Sequence, residues 1–159
     1  MDRLWTPWRY SYVTKAAGTS GCIFCEKAAS AGDEENLVVH RGERNFVLLN
    51  IYPYNNGHLL IAPYEHVSSL EELSEEAAVE MMQLARRTEG LLRRVYRPKG
   101  VNIGLNIGEC AGAGVASHVH LHILPRWPGD VSFMTSVGET RVVPEDLHST
   151  WNKMRDAFK

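Results

Sequence analysis

Ser117-His118-Val119-His120-Leu121-His122-Ile123-Leu124-Pro125 is the stretch on which the reading of this chain turns. Three histidines alternate with aliphatic residues at the period of a β-strand. The three imidazoles therefore share one face, while Val119, Leu121 and Ile123 enter a core on the other. Successive rings on such a face stand about 6.7 Å apart, two strand residues per step. Three chemistries suit the pattern. It is a solvated face, or a strand whose alternate histidines bind one zinc ion, or a centre for nucleophilic catalysis at phosphorus. In the last, a neutral imidazole takes up a phosphoryl group while its neighbours carry protons and offset charge on the non-bridging oxygens. The glycine-rich stretch just before, Gly108 to Ser117, makes better sense around phosphate than around a metal, because glycine lets backbone N–H groups approach an anion.

Working outward, Val101 to Asn106 reads as the strand before this loop, and Val119 to Leu124 as the strand after it. Upstream, Leu73, Ala77, Met81, Leu84, Thr88, Leu91 and Val95 recur at helical period, predicting a helix from Ser74 to about Arg97. Ser74 is its N-cap; Glu75 and Glu76 at the start and Arg93, Arg94 and Arg97 at the end complement the macrodipole; Pro98 and Gly100 stop it. Leu37 to His40, Asn45 to Asn50 and His58 to Ala62 are short strands separated by turn signals, the Asn56-Gly57 pair among them. Pro144 opens a last helix with Leu147, Trp151, Met154 and Phe158 on one face. The expected fold class is α+β: an antiparallel sheet, one long helix and a short C-terminal helix.

The 159 residues fit a single domain over 1–159, with an aromatic arm over 1–20 (Trp5, Trp8, Tyr10) and a C-terminal extension over 130–159. With 44% hydrophobic and 23% charged residues, the chain has the composition of a globular protein, not a disordered one. Lys plus Arg total 17 against 19 for Asp plus Glu, a net charge of −2, so neither a nucleic acid nor a membrane is an expected partner. No apolar run approaches transmembrane length, and the N-terminus lacks a signal-peptide core. Three cysteines, two in Cys22-Ile23-Phe24-Cys25, suggest a reduced, cytoplasmic chain. The Cys-x-x-Cys pair by itself leaves zinc binding, redox chemistry and a bare thiol pair all open.

His118-Val119-His120-Leu121-His122-Ile123-Leu124 resembles the signature of the histidine-triad family. Cys22-Ile23-Phe24-Cys25, Asn50-Ile51-Tyr52-Pro53, Gly57-His58-Leu59-Leu60-Ile61-Ala62-Pro63 and His66 follow the family's order and spacing. The flanking Leu124-Pro125-Arg126-Trp127 and Arg3-Leu4-Trp5-Thr6-Pro7 resemble its fragile-histidine-triad branch, and within it bacterial diadenosine tetraphosphate phosphorylases.

The resemblance implies a nucleotidyl transferase or hydrolase that binds adenine nucleotides and dinucleoside polyphosphates. His120 would be the nucleophile, holding AMP until phosphate or water takes it, and His122 would orient the phosphate and move protons. His58 would lie beside the phosphates, Asn50 would hold the ribose hydroxyls, Phe46 and Ile51 would sandwich the base, and Asn106 would bind phosphate or ribose. Phe46, Ile51 and His58 suit a core equally well. Relatives often carry Gln and Ser or Thr where Gly114 and Val115 stand, so the backbone N–H groups of Ala113, Gly114 and Val115 are expected to replace those side chains, with Arg126 as a further charge. Some histidine-triad relatives, and the related galactose-1-phosphate uridylyltransferases, close a structural zinc with two histidines, so the resemblance implies a structural zinc held by Cys22, Cys25, His66 and His118. It also implies a homodimer. A zinc-dependent hydrolase and a nucleotide-sensing module with feeble turnover are the competing functions.

Overall fold

The computed structural model describes residues 21–130 and 145–159, so the aromatic arm and Pro144 lie outside the described residues. A short helix α1 (Ile23–Ala29) leads to strands β1 (Val38–Arg41), β2 (Asn45–Leu49) and β3 (Leu59–Pro63). The long helix α2 (Glu75–Tyr96) and β4 (Gly100–Leu105) follow, then a 3-10 turn (Glu109–Ala111), β5 (Leu121–Arg126) and helix α3 (Leu147–Phe158). Among the described residues these strands make one five-stranded sheet in the order β1-β2-β3-β5-β4, antiparallel throughout. The α+β class and the long and short helices are as the sequence predicts.

Local chemistry explains the helix ends. The Ser74 hydroxyl accepts from the Ala77 N–H, satisfying one of the first-turn donors of α2, and the Glu65 carboxylate in turn holds the Ser74 N–H and hydroxyl. Arg97 ends the helix in the left-handed region at φ 47°, its N–H returning to the Arg93 carbonyl, and Pro98 prevents continuation. Helix α3 begins at Leu147 with Asp146 as its cap, the carboxylate accepting from the Ser149 N–H at 2.9 Å.

Strands β2 and β3 are buried on both faces, whereas β4 is largely exposed. Val47, Leu49, Leu59, Ile61, Leu121 and Ile123 pack under α2 and α3, meeting Leu84, Leu91 and Met154. Phe46, Leu48, Leu60 and Ala62 form a smaller core on the other face, closed by Val38 and by Phe24 of α1. Each large side chain so enclosed contributes about 1.5–3 kcal/mol. The edge strand β1 is covered by α3: the Trp151 indole N–H donates to the Val38 carbonyl at 2.9 Å, and Arg155 donates to that of Val39 at 3.1 Å.

Strand β5 starts at Leu121, two residues later than the histidine pattern suggests. Ahead of it the Val119 N–H bonds the Val67 carbonyl at 2.7 Å, outside the sheet ladder. The alternation survives: Leu121 and Ile123 join the core beneath the helices, and His122 pairs in register with Leu60, on the smaller-core side. Helix α1 was not expected from its Cys-x-x-Cys sequence; seven residues are too short to display a helical period. Gly57 turns the chain into β3 at φ 71°, where a Cβ would come within 3.1 Å of the Tyr96 ring, and so delivers His58 to the sheet.

Candidate functional site

Helix α1, the loop after β2, the glycine-rich loop and the histidine segment enclose a cavity of about 700 Å³. Of the residues singled out from sequence, Cys22, Asn50, Ile51, His66, Gly114, Val115, His120 and His122 line it. Ile23, Lys27, Leu48, Tyr52, Tyr54 and Ser117 line it too, and the sequence reading missed them. Ile23 and Lys27 are one helical turn apart on α1, so recognising that helix would have found the pair.

His120 is buried, and its Nδ1 lies 2.8 Å from the His118 carbonyl. A carbonyl only accepts, so Nδ1 carries the proton and Nε2 keeps its lone pair. Burial pushes His120 below its ordinary 6.5, which leaves the ring neutral at pH 7. Phe24 packs on it with ring centroids 4.7 Å apart.

His122 belongs to a chain of oriented hydrogen bonds. The Tyr54 N–H donates to His58 Nδ1 at 3.0 Å, as does Asn50 Nδ2 at 3.3 Å, so His58 carries its proton on Nε2. That Nε2–H donates to His122 Nδ1 at 3.0 Å, which leaves the His122 proton on Nε2. Burial, reinforced by neighbouring His120, pushes His122 down to about 4. The site thus offers one imidazole with a free lone pair and one with an N–H donor, their ring centroids 5.0 Å apart.

Other predicted residues sit elsewhere. Phe46 is fully buried in the smaller core, stacked on Tyr64 at 5.4 Å, and is not part of the cavity wall. His58 is buried behind His122. Asn106 follows β4 and is not in the wall, nor is Ala113, whose N–H bonds the Gly108 carbonyl at 3.3 Å. Val115 packs against the smaller core. Arg126 holds Asp130 through two nitrogens and Asn102 through a third, at the strand end and outside the wall.

A second constellation abuts the first. One donor atom from each of Cys22, Cys25, His66 and His118 lies within 4.8 Å of the others. Cys22 Sγ is 3.2 Å and Cys25 Sγ 3.7 Å from His118 Nδ1, and Cys25 Sγ is 3.2 Å from His66 Nδ1. Tetrahedral zinc, with bonds of about 2.0 Å to nitrogen and 2.3 Å to sulfur, places donors at about such separations. His118 Nε2–H donates to the Pro63 carbonyl at 3.0 Å, which turns the Nδ1 lone pair toward the thiols. Burial, with His66 and His120 nearby, pushes His118 down and keeps it neutral, as a ligand must be. A Cys2His2 cluster able to hold a metal ion is therefore present. His120 and His122 are not in it, so the reading in which all three strand histidines share one ion is corrected: the carbonyl of His118 and the ring of His58 direct the other two away.

Residues 31–129 match the HIT domain. The chain is 40% identical to the AP-4-A phosphorylase of Mycobacterium tuberculosis, across 94% of this chain and 80% of that protein. It is 32% identical to the protein hit of Bacillus subtilis, over 80% of this chain and 88% of that one. Among solved structures, a zinc-bound histidine triad family protein from Mycobacterium smegmatis superposes with a TM-score of 0.62 at 25% identity, covering 92% of this chain and 91% of that one. A HIT-family protein from Bacillus subtilis does so with a TM-score of 0.60 at 29% identity, covering 86% and 96%. Sequence, fold and histidine geometry agree: the chain belongs to the HIT family of histidine-triad proteins.

Proposed function

We propose that this protein is a nucleotidyl transferase that cleaves dinucleoside polyphosphates of the diadenosine tetraphosphate kind at the α-phosphate, with inorganic phosphate as the acceptor. The observation that carries the reading is the bond from His120 Nδ1–H to the His118 carbonyl, which leaves a lone pair on Nε2 of a cavity-lining ring. Identity of 40% to an AP-4-A phosphorylase supports the substrate class.

In the first step the Nε2 lone pair attacks the α-phosphorus. The bond to the bridging oxygen breaks, and ATP leaves from the tetraphosphate. AMP remains on His120 through a P–N bond, the Nδ1 proton staying against the His118 carbonyl. His122 Nε2–H donates to the phosphoryl oxygens as their charge builds. In the second step an oxygen of inorganic phosphate attacks the same phosphorus, the P–N bond breaks, and ADP departs with His120 restored. Asn50 takes the ribose hydroxyls, and Ile23, Leu48 and Ile51 supply apolar surface for the base.

Cys22, Cys25, His66 and His118 would hold a structural zinc; four protein donors close its coordination and tie α1 to the histidine segment. The zinc-bound relative supports that identity. The acceptor is tested by product analysis across a phosphate titration. ADP rising with phosphate is expected, whereas AMP and ATP in constant ratio would assign water as acceptor. One observation favours water: Gly114 and Val115, both in the cavity wall, offer no side-chain donor for a second phosphate.

A further inference from the structure

Tyr54 makes two separate contacts with the pair behind the nucleophile. Its backbone N–H donates to His58 Nδ1 at 3.0 Å, which forces the His58 proton onto Nε2 and into the bond with His122. Its ring stands 4.6 Å from the His58 ring and lies stacked on His122, centroids 5.9 Å apart and planes 16° from parallel. Offset stacking of this kind is a favoured aromatic arrangement and restrains the plane of the His122 ring.

The sheet leaves His122 needing that support. Its cross-strand neighbours are Leu60 on β3 and Gly104 on β4. Gly104 has no side chain, and a Cβ there would meet nothing within 4 Å, so β4 builds no wall against the imidazole. The flat face that does meet it comes from the loop between β2 and β3.

We propose that Tyr54 is a positioning residue for the transfer reaction: its ring and backbone N–H together hold His122 in one orientation and one tautomer, with Nε2–H directed at the phosphoryl group. The proposal rests on the roles given above to His120 and His122. It requires nothing of the Tyr54 hydroxyl.

The test compares Tyr54→Phe, which keeps the flat face, with Tyr54→Leu, which keeps apolar bulk without it. Tyr54→Phe is expected to hold kcat within about twofold, and Tyr54→Leu to lower it about tenfold or more with KM within about twofold, because orientation and not binding is lost. Nitrogen-15 NMR of the folded proteins should show His122 as an Nε2–H tautomer in all three, because every variant keeps the backbone N–H of residue 54, with the His122 ring signals sharp in wild type and Tyr54→Phe and broadened or split in Tyr54→Leu, where the stacked face is gone. Wild-type kcat with an unchanged His122 signal in Tyr54→Leu would overturn the proposal. So would a rise in KM alone, which would make Tyr54 a substrate contact. If wild-type protein forms no nucleotide adduct on His120, the functional reading falls, while the NMR signals still decide whether the Tyr54 ring holds His122 in one orientation.

Discussion

The carbonyl oxygen of His118 accepts the Nδ1–H of His120 at 2.8 Å, while the His118 ring turns away toward Cys22 and Cys25. One residue thus serves two sites: its side chain belongs to the metal-binding cluster, and its backbone sets the tautomer of the proposed nucleophile.

Replacing His120 by Asn should cut turnover by about three orders of magnitude or more while nucleotide binding persists, because the attacking lone pair is removed. Steady-state kinetics with equilibrium binding checks this. Retention of more than about a tenth of wild-type kcat/KM, a loss under about 1.4 kcal/mol, would rule out the assignment.

Metal analysis of protein purified without chelator should find close to one zinc per chain. Cys22→Ser and Cys25→Ser should each lose most of it and melt at lower temperature, since folding free energy is drawn from the bound ion. Full zinc content in either variant would show that the thiols are not ligands.

Phe46→Leu should lower stability by about 1 kcal/mol and leave KM within about twofold, because the ring fills the smaller core and not the cavity. Denaturant unfolding and kinetics on the same preparation separate the two effects. A large rise in KM with stability unchanged would return Phe46 to the base site.

Stability should fall as pH is lowered from about 6.5 toward 4. His122 titrates near 4 when folded and near 6.5 when unfolded, so across that window the unfolded chain binds more protons and protonation favours it. One such group contributes a slope of at most about 1.4 kcal/mol per pH unit. His122→Gln should flatten the dependence of the unfolding free energy on pH relative to wild type. Equal slopes in the two proteins would mean that His122 is not held neutral by burial.

The features legible along the chain alone were periodic and local. The alternation from His118 to Ile123 placed the histidines opposite Leu121 and Ile123, and the helical spacing from Leu73 to Val95, with Ser74 ahead of it, marked α2 nearly to the residue. These features are legible because strand and helix periods and cap hydrogen bonds are made among residues close along the chain. Which face met which partner depended on packing between distant elements. Both faces of β2 are buried, so the apolar character of Phe46 and Leu48 could not say that one lies wholly in the core while the other also borders the cavity. The separation of His118 from His120 and His122 is likewise tertiary. It depends on the thiols of Cys22, at the N-cap of α1, and Cys25, within it, and on an imidazole after β3 reaching His118, and on His58 reaching His122 across 64 residues of chain, contacts that no local period records.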